Sequence, residues 1–342
     1  MEPVRIALVG FGWFAEQLLT RVLRSMPEID VVAVVDVDDE RRARASAWGL
    51  TAVRSVDELP EGCESVAVLT PHDTHLQVVS ASARRGLHVF CEKALAVTSQ
   101  DAAEILRTCS AAGVRLVVGH MQKLFPVYER TIELVRSGTY GRVVSVQVDG
   151  LHWCPVFEGW WRTSASCGGL LYWTGIHDLD TMRAIAGAEV STVYAVAGVP
   201  TDDYTDYEDM TSLVVRFANG VVGSMQVAEH SPLVTFEESF STTVLLERGA
   251  IKVDPWGGKV AHARRDGFTR GPVVVESFGS FESGEEAAYR KEFAGFADVV
   301  RSSVRPVEET AEDGLRCVEL LEAASLSMRT GAVVDVQHVE LG

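Results

Sequence analysis

The first third of the chain alternates short apolar runs with amphipathic stretches. The runs at 4–9, 31–35, 65–70, 87–91 and 114–118 are rich in Val, Leu and Ala with few polar positions. Strands covered on both faces have this texture, and a parallel sheet is its usual setting. Between them, helical spacing predicts helices after Gly12, over 38–49, from the Pro71 turn to Arg85, and from a Thr98 cap to Cys109, with a short strand at 51–53. Pro126 opens a further helix that reaches Ser137 and Gly138.

From Arg142 the pattern changes to strict alternation. VVSVQVDG, STVYAVAG, TSLVVRFANG, VVGSMQVAEH and TTVLLERGAIKV each place apolar residues at every second position. Such strands build an antiparallel sheet with one packed face and one wet or partner-covered face. Ala218-Asn219-Gly220 and Arg248-Gly249 supply hairpin turns, and two amphipathic helices follow at 285–301 and 311–329. The fold class is therefore α/β: a doubly wound, parallel-sheet domain over 1–122, then a domain over 123–342 with an open, mainly antiparallel sheet. The late helices are long enough to pack back on the first domain.

Composition narrows the function. Of 342 residues, 31 are basic and 48 acidic, and the net charge of -17 disfavours nucleic acid and anionic membranes as partners. No apolar run reaches the length of a membrane span, and MEPVRIALVG leads into a strand rather than a signal peptide, so a cytoplasmic protein is expected. The six cysteines lack CxxC spacing, so neither a zinc site nor a disulfide framework is expected, and no metal is assigned.

The turn after the first strand carries the chemistry. Gly10, Gly12 and Ala15 form GxGxxA: Gly10 turns the chain, Gly12 admits a pyrophosphate close to the backbone, and Ala15 lets helix and strand approach. Trp13 and Phe14 sit in the helix's first turn, whose free N–H groups favour an anion. About 20 residues on, Asp36 ends the second strand, where an acid accepts both hydroxyls of an adenosine ribose. NAD is the expected cofactor because Asp36 repels a 2′-phosphate; Arg41 and Arg42 are the cations that leave NADP open.

The whole chain resembles the glucose-fructose oxidoreductase, inositol dehydrogenase and rhizopine-catabolism (Gfo/Idh/MocA) family. The resemblance rests on GFGWFA with VVAVVDVD, LTPHDTH, HVFCEKALAVT, VVGHMQKLFP, GWWRTSASCGGLLYWTGIHDLD, and the late segment FADVVRSSVRPVEETAEDGLRCVELLEAASLSMRTGAVV. It implies hydride exchange between NAD(P) and a hydroxyl or ketone of a sugar, cyclitol or related small molecule, in a homodimer or homotetramer built through the second sheet. It gives Lys93, in an EKA that stands for the usual EKP, the stabilisation of a developing alkoxide, which suits a cation at the sheet's carboxyl edge. Thr70, Pro71, His72, His75 and Glu92 join the cofactor set. His177, placed at the start of a helix after a glycine-rich turn, becomes the general acid/base, a role an ordinary imidazole suits near neutral pH. Trp161, Arg162, Tyr172, Trp173, His120 and Lys123 form the substrate set, with His152 nearby; indoles stack on sugar C–H faces and an arginine fork grips carboxylate or phosphate.

One departure stands out. Four residues before His177 the family usually has an acid, and this chain has Trp173. An indole neither carries negative charge nor accepts a proton. Asp178, Asp180 and Glu158 are the replacement acids in reach, and complementing a helix N-terminus is the alternative role for the two aspartates. Two other functions therefore stay open: a cofactor-binding sensor without turnover, and an enzyme that uses NAD for elimination or deglycosylation.

Overall fold

The computed structural model describes residues 2–151, 159–198, 205–229, 240–301 and 308–341. The chain divides into two compact units, one of Met1–His120, Tyr289–Val318 and Val339–Gly342, the other of Met121–Ala288 and Glu319–His338.

In the first unit the apolar runs form β1 (Val4–Val9), β2 (Ile29–Val35), β3 (Thr51–Val53), β4 (Ser65–Val68), β5 (His88–Glu92) and β6 (Leu116–Gly119). They pair in parallel in the order β3-β2-β1-β4-β5-β6, so the sheet reverses direction of growth between β1 and β4. Ligands of doubly wound sheets bind at the carboxyl end of such a reversal. The helices are α1 (Trp13–Arg21), α2 (Asp39–Ala47), α3 (His75–Arg84) and α4 (Ser99–Ala112); the Thr98 hydroxyl caps α4 by accepting the Asp101 N–H at 3.1 Å. Residues 289–301 complete this core, where Phe293 stacks on Phe90 at 4.4 Å between ring centroids and Phe296 meets it edge-on.

The second unit carries α5 (Pro126–Arg136), β7 (Val143–Leu151), α6 (Ser164–Cys167), α7 (Ile176–Ala186), β8 (Val190–Ala197), β9 (Met210–Phe217), β10 (Val222–Ala228), β11 (Phe240–Leu246), β12 (Gly249–Asp254), β13 (Lys259–Asp266) and β14 (Thr269–Ser277). The late helices are α8 (Phe281–Arg301) and α9 (Glu308–Thr330), and β15 (Val334–Asp335) closes one edge. The sheet order is β14-β13-β12-β11-β7-β10-β9-β8-β15; β7 and β10 run parallel and the other pairs antiparallel. α5 and α7 lie against one face. The other face exposes Val144, Tyr194, Val196, Val214 and Leu245, and a shallow groove of about 320 Å³ runs between Gln147, Tyr194, Val214 and Gln226. The β13–β14 hairpin is absent from the sequence expectation, because β14 is exposed on both faces and so lacks the alternation that marks a half-buried strand.

Candidate active site

At the turn after β1, Gly10 has φ +90°, and a Cβ there would lie 2.8 Å from the Leu69 carbonyl oxygen. Glycine is thus required by the approach of β1 and β4. Gly12 differs: the nearest atom to a Cβ would be Arg41 Nη1 at 4.0 Å, so the protein's own packing leaves space above it, at the N-terminus of α1. Trp13 is largely exposed beside this space, while Phe14 turns inward against Tyr289. Asp36 is buried at the end of β2. Its Oδ2 accepts the Phe11 N–H at 2.7 Å and its Oδ1 the Asp38 N–H at 2.9 Å. Arg41 lies 3.7 Å from Oδ2, and Arg42 Nη1 donates to the Asp36 carbonyl at 2.7 Å, so both arginines do fold back on this acid.

Glu92 ends β5 opposite Gly119 of β6. Oε2 accepts the Lys93 N–H at 3.2 Å, whereas the buried Oε1 has no hydrogen-bond partner among the described residues. Burial pushes this carboxyl up to about 7, against the downward pull of the Lys93 charge and N–H. An orphaned buried oxygen at the carboxyl edge, with space above Gly12 and an inward-held Asp36, fits a dinucleotide with polar groups at both ends. Lys93 follows directly, half-buried, and the Lys93–Ala94 peptide bond is cis. The loop after β4 comes next to it. Thr70 Oγ1 accepts from Thr74 Oγ1 at 2.8 Å, Pro71 precedes a short 3-10 turn, and His72 Nε2 accepts the Ala94 N–H at 3.3 Å. His75 is fully buried with both ring nitrogens at backbone carbonyls, so it lines no open surface. His120 is likewise buried, just past β6.

In the second unit the structure corrects the setting of His177. It does not start a helix. Gly168 and Gly169, both at positive φ, lead into a π-helical turn over Leu171–Gly175 that runs straight into α7, so His177 sits within a continuous helical stretch, half-buried. The helix-terminus role for the aspartates falls with that start. Asp178 Oδ1 accepts the Gln122 amide at 2.8 Å, and Asp180 pairs with Lys123 at 3.3 Å and with Arg183 at 3.2 Å. Both carboxylates are buried inside these networks, Lys123 among their partners.

Trp173 stacks on Trp161, and Trp160 meets it edge-on. Trp161 and Tyr172 are buried, Tyr172 with its ring against Gly168; Arg162 is half-buried. His152 and Glu158 lie outside the described residues. The buried acid missed by the sequence reading is Glu229, just past β10: Thr174, next to Trp173, donates its hydroxyl to Glu229 Oε1 at 2.7 Å. Burial pushes the neighbouring Glu208 carboxyl up, and the charges of Asp209 and Glu229 add to it. Only the pairing of β10 with β9 brings these acids together, a non-local fact no local motif signals.

Residues 4–120 match the model of an oxidoreductase family described as its NAD-binding Rossmann fold, and residues 132–336 match the family's C-terminal alpha/beta domain. The chain belongs to the Gfo/Idh/MocA family. Its Rossmann unit is the NAD-binding domain of that family. Among Gfo/Idh/MocA relatives, it is 30% identical over 311 residues to a D-xylose 1-dehydrogenase (NADP(+)) of Haloferax volcanii, covering 89% of this chain and 91% of that protein. It is 28% identical over 264 residues to a 2,7-anhydro-N-acetylneuraminate hydratase of Mediterraneibacter gnavus, covering 74% and 68%. Among solved structures, GenD2 from gentamicin A biosynthesis in complex with NAD superposes with a TM-score of 0.84 at 24% identity, covering 99% of this chain and 97% of that one. At that identity the likeness speaks for the fold. No helix among the described residues is long and apolar enough to cross a membrane.

Proposed function

We propose that the protein is an oxidoreductase that uses NAD, or NADP as second choice, on a hydroxyl or ketone of a sugar, cyclitol or related small molecule. When bound, the nicotinamide supplies the hydride donor or acceptor. Lys93 steadies negative charge on the reacting oxygen, and His177 takes or returns its proton. Glu229, held one helical turn from His177 through Thr174, supplies the carboxylate that position 173 lacks. Trp161, Arg162 and Trp173 form the apolar and cationic sides of the substrate site. The observation that carries this reading is Glu92 Oε1, buried without a partner among the described residues, beside Lys93 at the carboxyl edge of a doubly wound sheet.

The second unit, on this reading, binds substrate and joins copies of the chain through the exposed sheet face, since contiguous apolar exposure of this kind marks an interface. Sedimentation at micromolar concentration should give a dimer or tetramer, and a monomer alone would refute it. The hydratase name of one relative favours an elimination route as the second reading. A screen of cyclitols, aldoses, uronic acids and their keto forms with labelled NADH separates the two. Label in a reduced product supports the oxidoreductase; a dehydrated or cleaved product formed from the same alcohols with NAD, with no net NADH, supports elimination, since that route first oxidises the substrate and then returns the hydride.

A further inference from the structure

His75 opens α3 but its ring points back to the loop tips of the sheet. Nε2 is 2.9 Å from the Thr70 carbonyl oxygen, just past β4, and Nδ1 is 3.1 Å from the Leu95 carbonyl oxygen, two residues beyond Lys93. Cys91 Sγ lies 3.4 Å from Nδ1, two residues before Lys93. A neutral histidine that merely filled the core would need one acceptor, for its single N–H. This one faces a carbonyl at both, each on a different loop of the cofactor edge, with a thiol at the side. His72 makes the parallel contact through Ala94 N–H, and the two rings lie 5.6 Å apart. The Lys93 loop is therefore fastened on both sides of the lysine to groups from the loop after β4 and from β5.

We propose that His75 is the positioning residue for Lys93: its imidazole ties the loop after β4, at the Thr70 carbonyl, to the end of β5, at the Cys91 thiol two residues before the lysine. The inference rests on the role given to Lys93 above. A neutral imidazole carries one proton and one lone pair, so Nε2–H donates to the Thr70 carbonyl and Nδ1, which the Leu95 carbonyl oxygen and Cys91 Sγ both face, accepts the Cys91 thiol. Burial favours the neutral ring and the protonated thiol, which supplies that donor. Removing the ring's nitrogens takes this partner from the Thr70 carbonyl and the Cys91 thiol and frees the lysine loop to shift, while the helix start and the sheet beneath it remain.

The chain has only five lysines, so Lys93 can be followed by itself: Lys123, Lys252, Lys259 and Lys291 serve as internal references. Full-length protein is labelled with limiting acetic anhydride, with and without NADH, and each lysine's rate is read by peptide mass spectrometry. His75→Phe, which keeps ring volume without nitrogens, should change the Lys93 rate at least threefold and leave the references within experimental scatter. His75→Gln, which restores a donor and an acceptor, should return Lys93 towards wild type, and Cys91→Ala should give a smaller change in the direction of His75→Phe. If His75→Phe does not fold, His75→Gln against Cys91→Ala carries the same comparison. An unchanged Lys93 rate in folded His75→Phe, or an equal change at all five lysines, overturns the proposal. Because no turnover is measured, failure of the proposed reaction and failure of this positioning role are told apart.

Discussion

Trp173 lies stacked on Trp161, with ring centroids 6.4 Å apart and planes inclined by 22°, and Trp160 closes on the same indole edge-on at 5.9 Å. Trp173, where the sequence resemblance leads one to expect an acid, is thus built into an aromatic cluster. Its neighbour Thr174 already holds the Glu229 carboxylate. An aspartate at 173 would lose the stacking and bring a second negative charge close to a buried one, at a cost of about 3 kcal/mol or more. Trp173→Asp should lower the melting temperature by several degrees and weaken binding of any sugar ligand at least tenfold without raising turnover. Trp173→Phe should keep most of both. A gain in turnover on a common sugar in Trp173→Asp would show that the tryptophan is a lost acid rather than a binding wall.

Lys93→Ala tests the electrostatic role. An ammonium that acts on charge developing in the transition state contributes chiefly to the chemical step. Turnover should fall by about two orders of magnitude, and NADH affinity from fluorescence titration should stay within about twofold. Equal losses in both quantities would move Lys93 from the reaction to cofactor binding.

The parts of this arrangement that follow from local pattern were legible in the sequence. Continuous apolar runs gave β1 to β6, and glycines with Asp36 in register gave the cofactor edge, because each depends on residues within one βα step. The parts that depend on distant neighbours were not. Asp178 and Asp180 read as replacement acids or as complements to a helix start until Gln122, Lys123 and Arg183 are seen to absorb them. Glu229 and Cys91 lie in ordinary strand-end contexts, and only the sheet pairing and the His75 ring give them work. The π-helical turn at Leu171–Gly175 follows the paired glycines and has no pattern of its own.

Cofactor choice turns on Asp36 and Arg41. Both Asp36 oxygens already accept backbone N–H groups, and Arg41, about half exposed, stands 3.7 Å from one of them. NADH should bind more tightly than NADPH, since a 2′-phosphate meets the buried carboxylate. The arginine limits that preference by offering a guanidinium to the phosphate. Arg41→Ala should therefore weaken NADPH by about tenfold while changing NADH little, read by nucleotide fluorescence. Tighter NADPH than NADH in the wild type would sink the preference, and equal losses for the two nucleotides would remove Arg41 from the phosphate site.

Glu92 makes a prediction about pH that needs no substrate. Burial raises its carboxyl from the ordinary glutamate value to about 7 in the folded chain. The folded state therefore holds a proton that the unfolded state releases near pH 4.5. A raised carboxyl contributes stability that is complete below the unfolded value and is lost as pH climbs to the folded one. Stability should decline across pH 4.5 to 7 through this group and level off above. Glu92→Gln, always neutral and nearly isosteric, removes that decline. At pH 5 the two proteins should melt close together, and by pH 8 the variant should be the more stable by about 1–2 kcal/mol, allowing for the Lys93 charge and partial screening. The comparison uses apo protein and reads the difference between the two melting curves, so other titrating groups cancel. A gap of constant size from pH 5 to 8 would mean that Glu92 is ionised throughout, held so by Lys93.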